Sequence, residues 1–278
     1  MPVNCLRTSH LSLLIAVVVV LSSGLVACSS SSSAEKEDDA EPEVVEPEGP
    51  TAQELFVQAN EALDQRDWEE AASLYEQVTD LDDERWDAHM NRGIALTHNE
   101  QFRDATEAFQ DALNAGGNSE PTVYFNLGNH YQERGLHEAA IDAYRASMAQ
   151  RGDLHYETLL NISASFTFIN AHEQARKTIE RALKLDPDDP RAHITLGLTI
   201  FSEGQPDEAL EIYDEVVAMA PDFAPGHYNR GFVLLRMGDD EKARESFTNY
   251  LELAPDGPYV QKAESHITTI DQRTARGD

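Results

Sequence analysis

Ten histidines and 51 acidic residues are the groups of this 278-residue chain that could ligate a metal or move a proton, and what they can do depends on their spacing. His89, His193 and His227 stand at one phase of a period close to 34 residues. A ligand set needs side chains that converge on one point, and three rings spread over a long period do not. That phase predicts a ring packed at a helix contact. His98, His130, His137, His155 and His172 form no close pair at helical ligand spacing. The acid pairs Glu69-Glu70 and Asp188-Asp189 fall in turns and on outer faces, where a carboxylate is simply solvated. No Walker loop, GxGxxG, HExxH, GxSxG or CxxC pattern occurs. The expectation is therefore no catalytic residue, no metal, no cofactor and no small-molecule substrate.

One nucleophile is placed unusually. Residues 11–27, LSLLIAVVVVLSSGLVA, carry no charge, the ten before them carry one Arg and no acid, and Cys28 ends the run. A positive start, an apolar run and a small-residue exit form the pattern of an export signal. As a retained membrane anchor the run is at the lower limit of length, and Ser22, Ser23 and Gly24 dilute its last turn. The exit separates the two, because Leu25-Val26-Ala27-Cys28 resembles the lipobox of bacterial lipoproteins. In that family the cysteine sulfur takes a diacylglyceryl group, a peptidase cuts before it, and the new N-terminus is acylated. The resemblance implies a signal peptide over 1–27, lipidation of Cys28 and attachment to a membrane through that lipid. Cys5 would leave with the signal, so no disulfide would support the mature fold. Ser29 follows the cysteine. An Asp there retains Gram-negative lipoproteins at the inner membrane, so the resemblance points to the bacterial envelope and the periplasmic face of the outer membrane. Residues 28–51 form a Ser-rich stretch with eight acids and one lysine. They have almost nothing to bury and are expected to be a disordered tether. It would hold the folded part off the bilayer by at most roughly 70 Å, at about 3.3 Å per residue.

From 52 onward the chain repeats itself. Six segments align, from WEEAASLYEQV (68–78) to DEKARESFTNY (240–250). Each has alanine at its fourth place (Ala71, Ala105, Ala140, Ala175, Ala209, Ala243), at spacings of 34, 35, 35, 34 and 34. Four residues on stands a ring or Ile: Tyr75, Phe109, Tyr144, Ile179, Tyr213, Phe247. Twelve residues before each alanine is another small residue: Ala59, Gly93, Gly128, Ser163, Gly197, Gly231. Small side chains at both places let two short helices cross closely. Gly135, Asn170, Gly204 and Gly238 share the phase where the first helix must turn into the second. Pro187, Pro221 and Pro255 share the phase where the second must stop.

This pattern resembles the tetratricopeptide repeat, a 34-residue helix–turn–helix unit. In that register the units run 52–85, 86–119, 121–154, 156–189, 190–223 and 224–257, with Glu120 and His155 as one-residue insertions. The resemblance covers 206 of 278 residues. It implies an all-α fold, an α-solenoid of six such units in which each hides its apolar face on its neighbours. Residues 258–278 complete it: Val260, Ala263, Ile267 and Ile270 lie on one helical stripe, the mark of a solvating cap helix.

Numbered within a unit, positions 4, 7, 8 and 11 of the first helix pack inside the array. Positions 2, 5, 9, 12 and 13 lie on another face. In the repeat family that second face lines a concave groove for protein ligands. Here it reads Asp87, Met90, Ile94, Thr97, Phe125, Asn129, Gln132 and Glu133 early, and Leu160, Phe168, Ile194, Leu198, Phe201, Tyr228, Phe232 and Leu235 late, with Arg191 and Arg236 among them. Asn91, Asn126, Asn161 and Asn229 fall at position 6, where an amide can hold the backbone of an extended peptide. The candidate partner-binding residues are Asn126, Asn129, Asn161, Phe168, Leu198, Phe201, Asn229, Phe232 and Arg236. Lys177, Lys184, Lys242 and Lys262 are outside the groove phases, so the lysine clamp that some family members use for acidic tails is missing.

Net charge is −30; setting aside +1 for residues 1–27 and −7 for 28–51 leaves −24 on the rest. That excludes nucleic acid as a partner and disfavours anionic headgroups. It suits a basic or neutral protein partner, or a saline habitat. The expected function is a lipid-anchored scaffold that binds another envelope protein. Six units behind a lipobox also resemble pilotin lipoproteins, which help a secretin assemble for type IV pili.

Overall fold

The computed structural model describes residues 49–276. The apolar run 1–27, Cys28 and most of the tether lie outside the described residues. From Thr51 the chain forms one compact unit. It is all helix among the described residues: α1 Ala52–Gln65, α2 Trp68–Leu81, α3 Trp86–His98, α4 Phe102–Asn114, α5 Pro121–Glu133, α6 His137–Arg151, α7 Tyr156–Phe168, α8 His172–Leu185, α9 Pro190–Ser202, α10 Pro206–Met219, α11 Ala224–Met237, α12 Asp240–Leu253 and α13 Val260–Arg276. A single 3₁₀ turn, Gly117–Ser119, joins α4 to α5.

Odd and even helices pair into six hairpins, and each even helix packs on the odd helix that follows it. The six repeat-phase alanines are wholly buried, as are Tyr75, Tyr144, Ile179 and Phe247. First helices also meet directly, α3 with α5, α7 with α9 and α9 with α11. The last even helix packs on α13, where Ala263 and Ile270 are buried and Val260 and Ile267 lie partly covered against the same cluster. Apolar surface is thus passed from hairpin to hairpin, and α13 receives the last of it.

Position 15 of every unit is left-handed. Gly135, Gly204 and Gly238 hold φ of 72°, 85° and 85°, and Asn170 holds 60°. Units 1 and 2 make the same turn with Arg66 (φ 63°) and Glu100 (φ 59°). A Cβ in that region costs roughly 1–2 kcal/mol. Glu100→Gly is therefore expected to stabilise the fold by about 1 kcal/mol, after the entropy glycine adds to the unfolded chain. Chemical denaturation would check it; an unchanged or lower midpoint would contradict it.

The repeating histidines clip the turns between units. His89 Nε2 lies 3.0 Å from the Asp83 carbonyl, His193 Nε2 2.8 Å from that of Pro187, and His227 Nε2 2.9 Å from that of Pro221. Each ring at position 4 thus reaches the carbonyl six residues upstream. Units 3 and 4 carry Tyr124 and Leu159 at this phase. There the inserted Glu120 and His155 enter their helices in extended conformation (φ −96° and −103°).

Candidate partner-binding surface

The odd helices present the candidate face, and its two halves differ. In the early half, amides are spent on joining units. The Tyr75 hydroxyl on α2 donates to Asn60 Oδ1 at 2.6 Å, and Asn91 Nδ2 on α3 donates to that hydroxyl at 3.2 Å. The arrangement recurs two units later. The Tyr144 hydroxyl on α6 donates to Asn129 Oδ1 at 2.7 Å and lies 2.7 Å from Gln132 Oε1. Asn161 Nδ2 on α7 donates to the same Asn129 oxygen at 3.1 Å. Asn129 and Asn161 are therefore half-buried members of an inter-repeat clasp, at the edge of the face. The sequence carried a sign of it: Asn60, Tyr75 and Asn91 recur as Asn129, Tyr144 and Asn161, 69 to 70 residues on.

The other two amides turn to their own helices. Asn126 Nδ2 donates to the Thr122 carbonyl at 3.0 Å and touches Met90 Sδ at 3.5 Å. Asn229 Nδ2 donates to the Pro225 carbonyl at 2.8 Å. Phe168 lies flat on His137, centroids 4.6 Å apart and planes 5° from parallel. It closes the seam between units 3 and 4, as His98 does on Trp68 at 4.4 Å between units 1 and 2.

Three residues expected on the face are instead in the core: Thr97, Leu160 and Tyr228 are 6%, 7% and 4% exposed. Tyr228 is covered by Phe247, Tyr250 and Tyr259, the last stacked on it at 4.6 Å. Desolvation, then the neighbouring tyrosines, raise its phenol pKa. Leu160 and Tyr228 share position 5 with Met90, Phe125 and Ile194, which are only half-buried, so repeat phase alone does not reveal which of them becomes interior.

The late half keeps an apolar row at the surface. Leu198 and Phe201 on α9, and Phe232 and Leu235 on α11, are half-buried. Phe201 and Phe232 meet edge to face with centroids 5.7 Å apart, and Phe232 lies 6.1 Å from the His266 ring of α13. The two arginines of this half differ. Arg191 is held by Asp189 and by Glu157, whose carboxylate oxygens stand 2.8 and 3.0 Å from Nη1. Its bonds to Asp189, and then to Glu157, keep its pKa above the ordinary guanidinium range. It is committed to the unit 4–5 junction. Arg236, one turn beyond Phe232, is exposed, whereas Arg230 on the same helix is paired with Asp214. No group of His, Cys, Asp and Glu able to hold a metal occurs among the described residues, and no described helix is long and apolar enough to cross a membrane.

Comparison with known proteins adds to this geometry. A tetratricopeptide repeat profile matches residues 56–120, 98–153 and 170–222, and a second profile of that repeat matches 201–267. The chain is 29% identical over 92 residues to the small glutamine-rich tetratricopeptide repeat-containing protein 2 of Saccharomyces cerevisiae, covering 32% of this chain and 26% of that protein. The chain spans about a quarter of the length of the curated relatives it matches. Among solved structures it is similar to a tetratricopeptide repeat protein of Parabacteroides merdae (TM-score 0.64, 16% identity, 82% of this chain and 93% of that one). It is also similar to PilW, described as a widely conserved type IV pilus biogenesis factor (TM-score 0.63, 17% identity, 76% of this chain and 97% of that one).

Proposed function

Because the chain belongs to the tetratricopeptide repeat family, we propose that it is a lipid-anchored scaffold of the bacterial envelope that holds an apolar segment of another protein against α9 and α11. Proteins of this fold are generally non-catalytic scaffolds, and protein binding is what their surfaces do. The observation that carries the proposal is the half-buried Phe201–Phe232 pair, flanked by Leu198 and Leu235 and ending at the exposed Arg236. Aromatic side chains that are neither core nor free in solvent lose little rotamer entropy when a partner covers them. The lipobox Leu25-Val26-Ala27-Cys28 supports anchoring at Cys28, and Ser29 after it supports the periplasmic face of the outer membrane. The clasped early half would stiffen the array and present the late half.

A photo-crosslinking residue at Phe232, in the full chain within native membranes, tests both parts. The expected result is an adduct with a second protein, and Cys28→Ser is expected to move the chain out of the membrane fraction. Crosslinks confined to the chain itself would end the binding proposal, and membrane retention of the serine variant would end the anchoring proposal. Phe232→Ser is expected to weaken partner capture by about 2–4 kcal/mol, the range of a central aromatic anchor.

A second reading, assistance to secretin assembly for type IV pili, draws support from the fold likeness to the pilus biogenesis factor over 97% of its length. In that case the adduct at Phe232 is with the secretin.

A further inference from the structure

His130 on α5 is 1% exposed where unit 3 meets unit 2. Its Nδ1 lies 2.8 Å from Thr97 Oγ1 on α3 and its Nε2 2.9 Å from Thr106 Oγ1 on α4. Each hydroxyl also reaches a carbonyl four residues back in its own helix: Thr97 that of Gly93 at 2.8 Å, and Thr106 that of Phe102 at 2.9 Å. Arg134 Nη1 donates to the Thr106 hydroxyl at 3.1 Å.

A hydroxyl has one proton to give. All these contacts form at once only if both ring nitrogens carry hydrogen, as in the imidazolium. A neutral ring supplies one N–H, so one threonine must turn its proton from its carbonyl to the ring. Burial and a neighbouring charge nevertheless oppose the cation: the ring is cut off from water, and the Arg134 guanidinium shares the Thr106 hydroxyl with it. Phe102, Phe109 and Tyr131 stand with centroids 6.2, 5.5 and 5.6 Å from the ring. Burial, and then the charge of Arg134, pull the pKa from its ordinary value down to about 4. Of the charged groups among the described residues, Arg134 next to the ring's own helix is the one that acts on it; on that helix burial raises the pKa of Glu133, and His98 on the facing α3 opposes that rise.

We infer that His130 is an acid-released latch on the junction between units 2 and 3. The closed junction holds the ring neutral; the opened one lets it protonate in water. A folded-state pKa below the unfolded one means that this contribution is complete above about pH 6.5 and is lost as pH falls towards about 4. Acid thereby uncouples the units carrying α1 to α4 from those carrying α5 to α12.

Hydrogen exchange of the full chain, corrected for the intrinsic chemical rate, tests this at about pH 7.5 and about pH 5. Peptides covering 86–114 and 121–133 are expected to open about thirtyfold more at the lower pH, the ratio set by the two proton affinities. His130→Phe leaves both threonines on their own carbonyls and should abolish that increase; His130→Gln serves if the phenylalanine variant fails to fold. His137, His155 and His266 also have lowered pKa values, all chiefly through burial, but they lie on α6, before α7 and on α13, and respond alike in wild type and variant. An unchanged acid response at 86–133 in the variants overturns the inference. So does an NMR titration of the wild-type His130 ring near pH 6.5.

Discussion

Gly128→Ala is expected to destabilise the fold by about 2 kcal/mol, the net of an overpacking cost of about 1–3 or somewhat more and the roughly 1 kcal/mol that alanine gains over glycine inside a helix. A Cβ at residue 128 would stand 2.5 Å from two ring carbons of Tyr144. That ring is fully buried, and its hydroxyl is tied to Asn129 and Gln132. It cannot retreat without disturbing the clasp that holds unit 4. The same substitution elsewhere should be milder in a definite order. At Gly197 the nearest ring carbons of Tyr213 are 2.8 Å away, and at Gly93 those of Phe109 are 3.0 Å. Gly197→Ala is expected to cost about 1 kcal/mol and Gly93→Ala close to nothing, because a shift of a few tenths of an ångström offsets only the helix gain. Unit 1 is built with Ala59 opposite Tyr75, both wholly buried, so the motif tolerates alanine. But among the described residues no hairpin precedes unit 1, so its two helices can spread on that side. Gly128 lies between neighbours on both sides. Denaturant midpoints of the three variants would check the order; a Gly128→Ala protein as stable as Gly93→Ala would show that the crossing is looser than the rings suggest.

That ranking shows which features a single sequence discloses. The period and its small–small–ring pattern are consequences of helix crossing, and helix crossing is local. Hence Ala71, Ala105, Ala140, Ala175, Ala209 and Ala243 are where their phase puts them, wholly buried. The turn at position 15 was legible where Gly or Asn stands and hidden where Arg66 and Glu100 stand, because those residues reach positive φ only under the stack's constraint. The candidate face was harder to read. Its residues are shared between a ligand and the next unit, and which one wins depends on side-chain length across a junction. Asn161 and Phe168 were drawn into the seam by Asn129 and His137, which lie in the preceding unit. Phe201 and Phe232 remained at the surface, their rings meeting each other across units 5 and 6. His130 gave no sign at all: its meaning lies in two threonines 24 and 33 residues upstream on different helices.

Deleting residues 258–278 is expected to have the widest effect of any change, since among the described residues α13 alone covers that end of the array. Beneath it lie Tyr228, Phe247 and Tyr250, all at most 4% exposed, and the Tyr250 hydroxyl accepts from the Tyr259 backbone N–H at 2.9 Å. The ion pairs Arg244–Asp271 and Arg273–Asp240 that span the contact are exposed and contribute little. What α13 supplies is apolar cover, with Ile270 at its centre, 2% exposed. Ile270→Ala alone should cost about 2–4 kcal/mol, the usual range for a buried large-to-small change. Full deletion should do more than sum such terms. In a stacked array the stability of a unit includes its interface with the next, so an uncovered α11–α12 hairpin frays first and exposes α9–α10 in turn. The expected signature is a low-temperature unfolding phase confined to residues 190–257, with dye binding to exposed apolar surface and concentration-dependent aggregation. Exchange in α1 to α4, far from the cut, should change little. The fraying units are also those that carry Phe201 and Phe232, so capture of a partner at Phe232 should fall with the stability of α11. A truncated chain that stays monomeric and melts in one transition at the wild-type temperature would mean that a hairpin of this sequence can bury its own apolar side, and stacking would then not be what holds the molecule together.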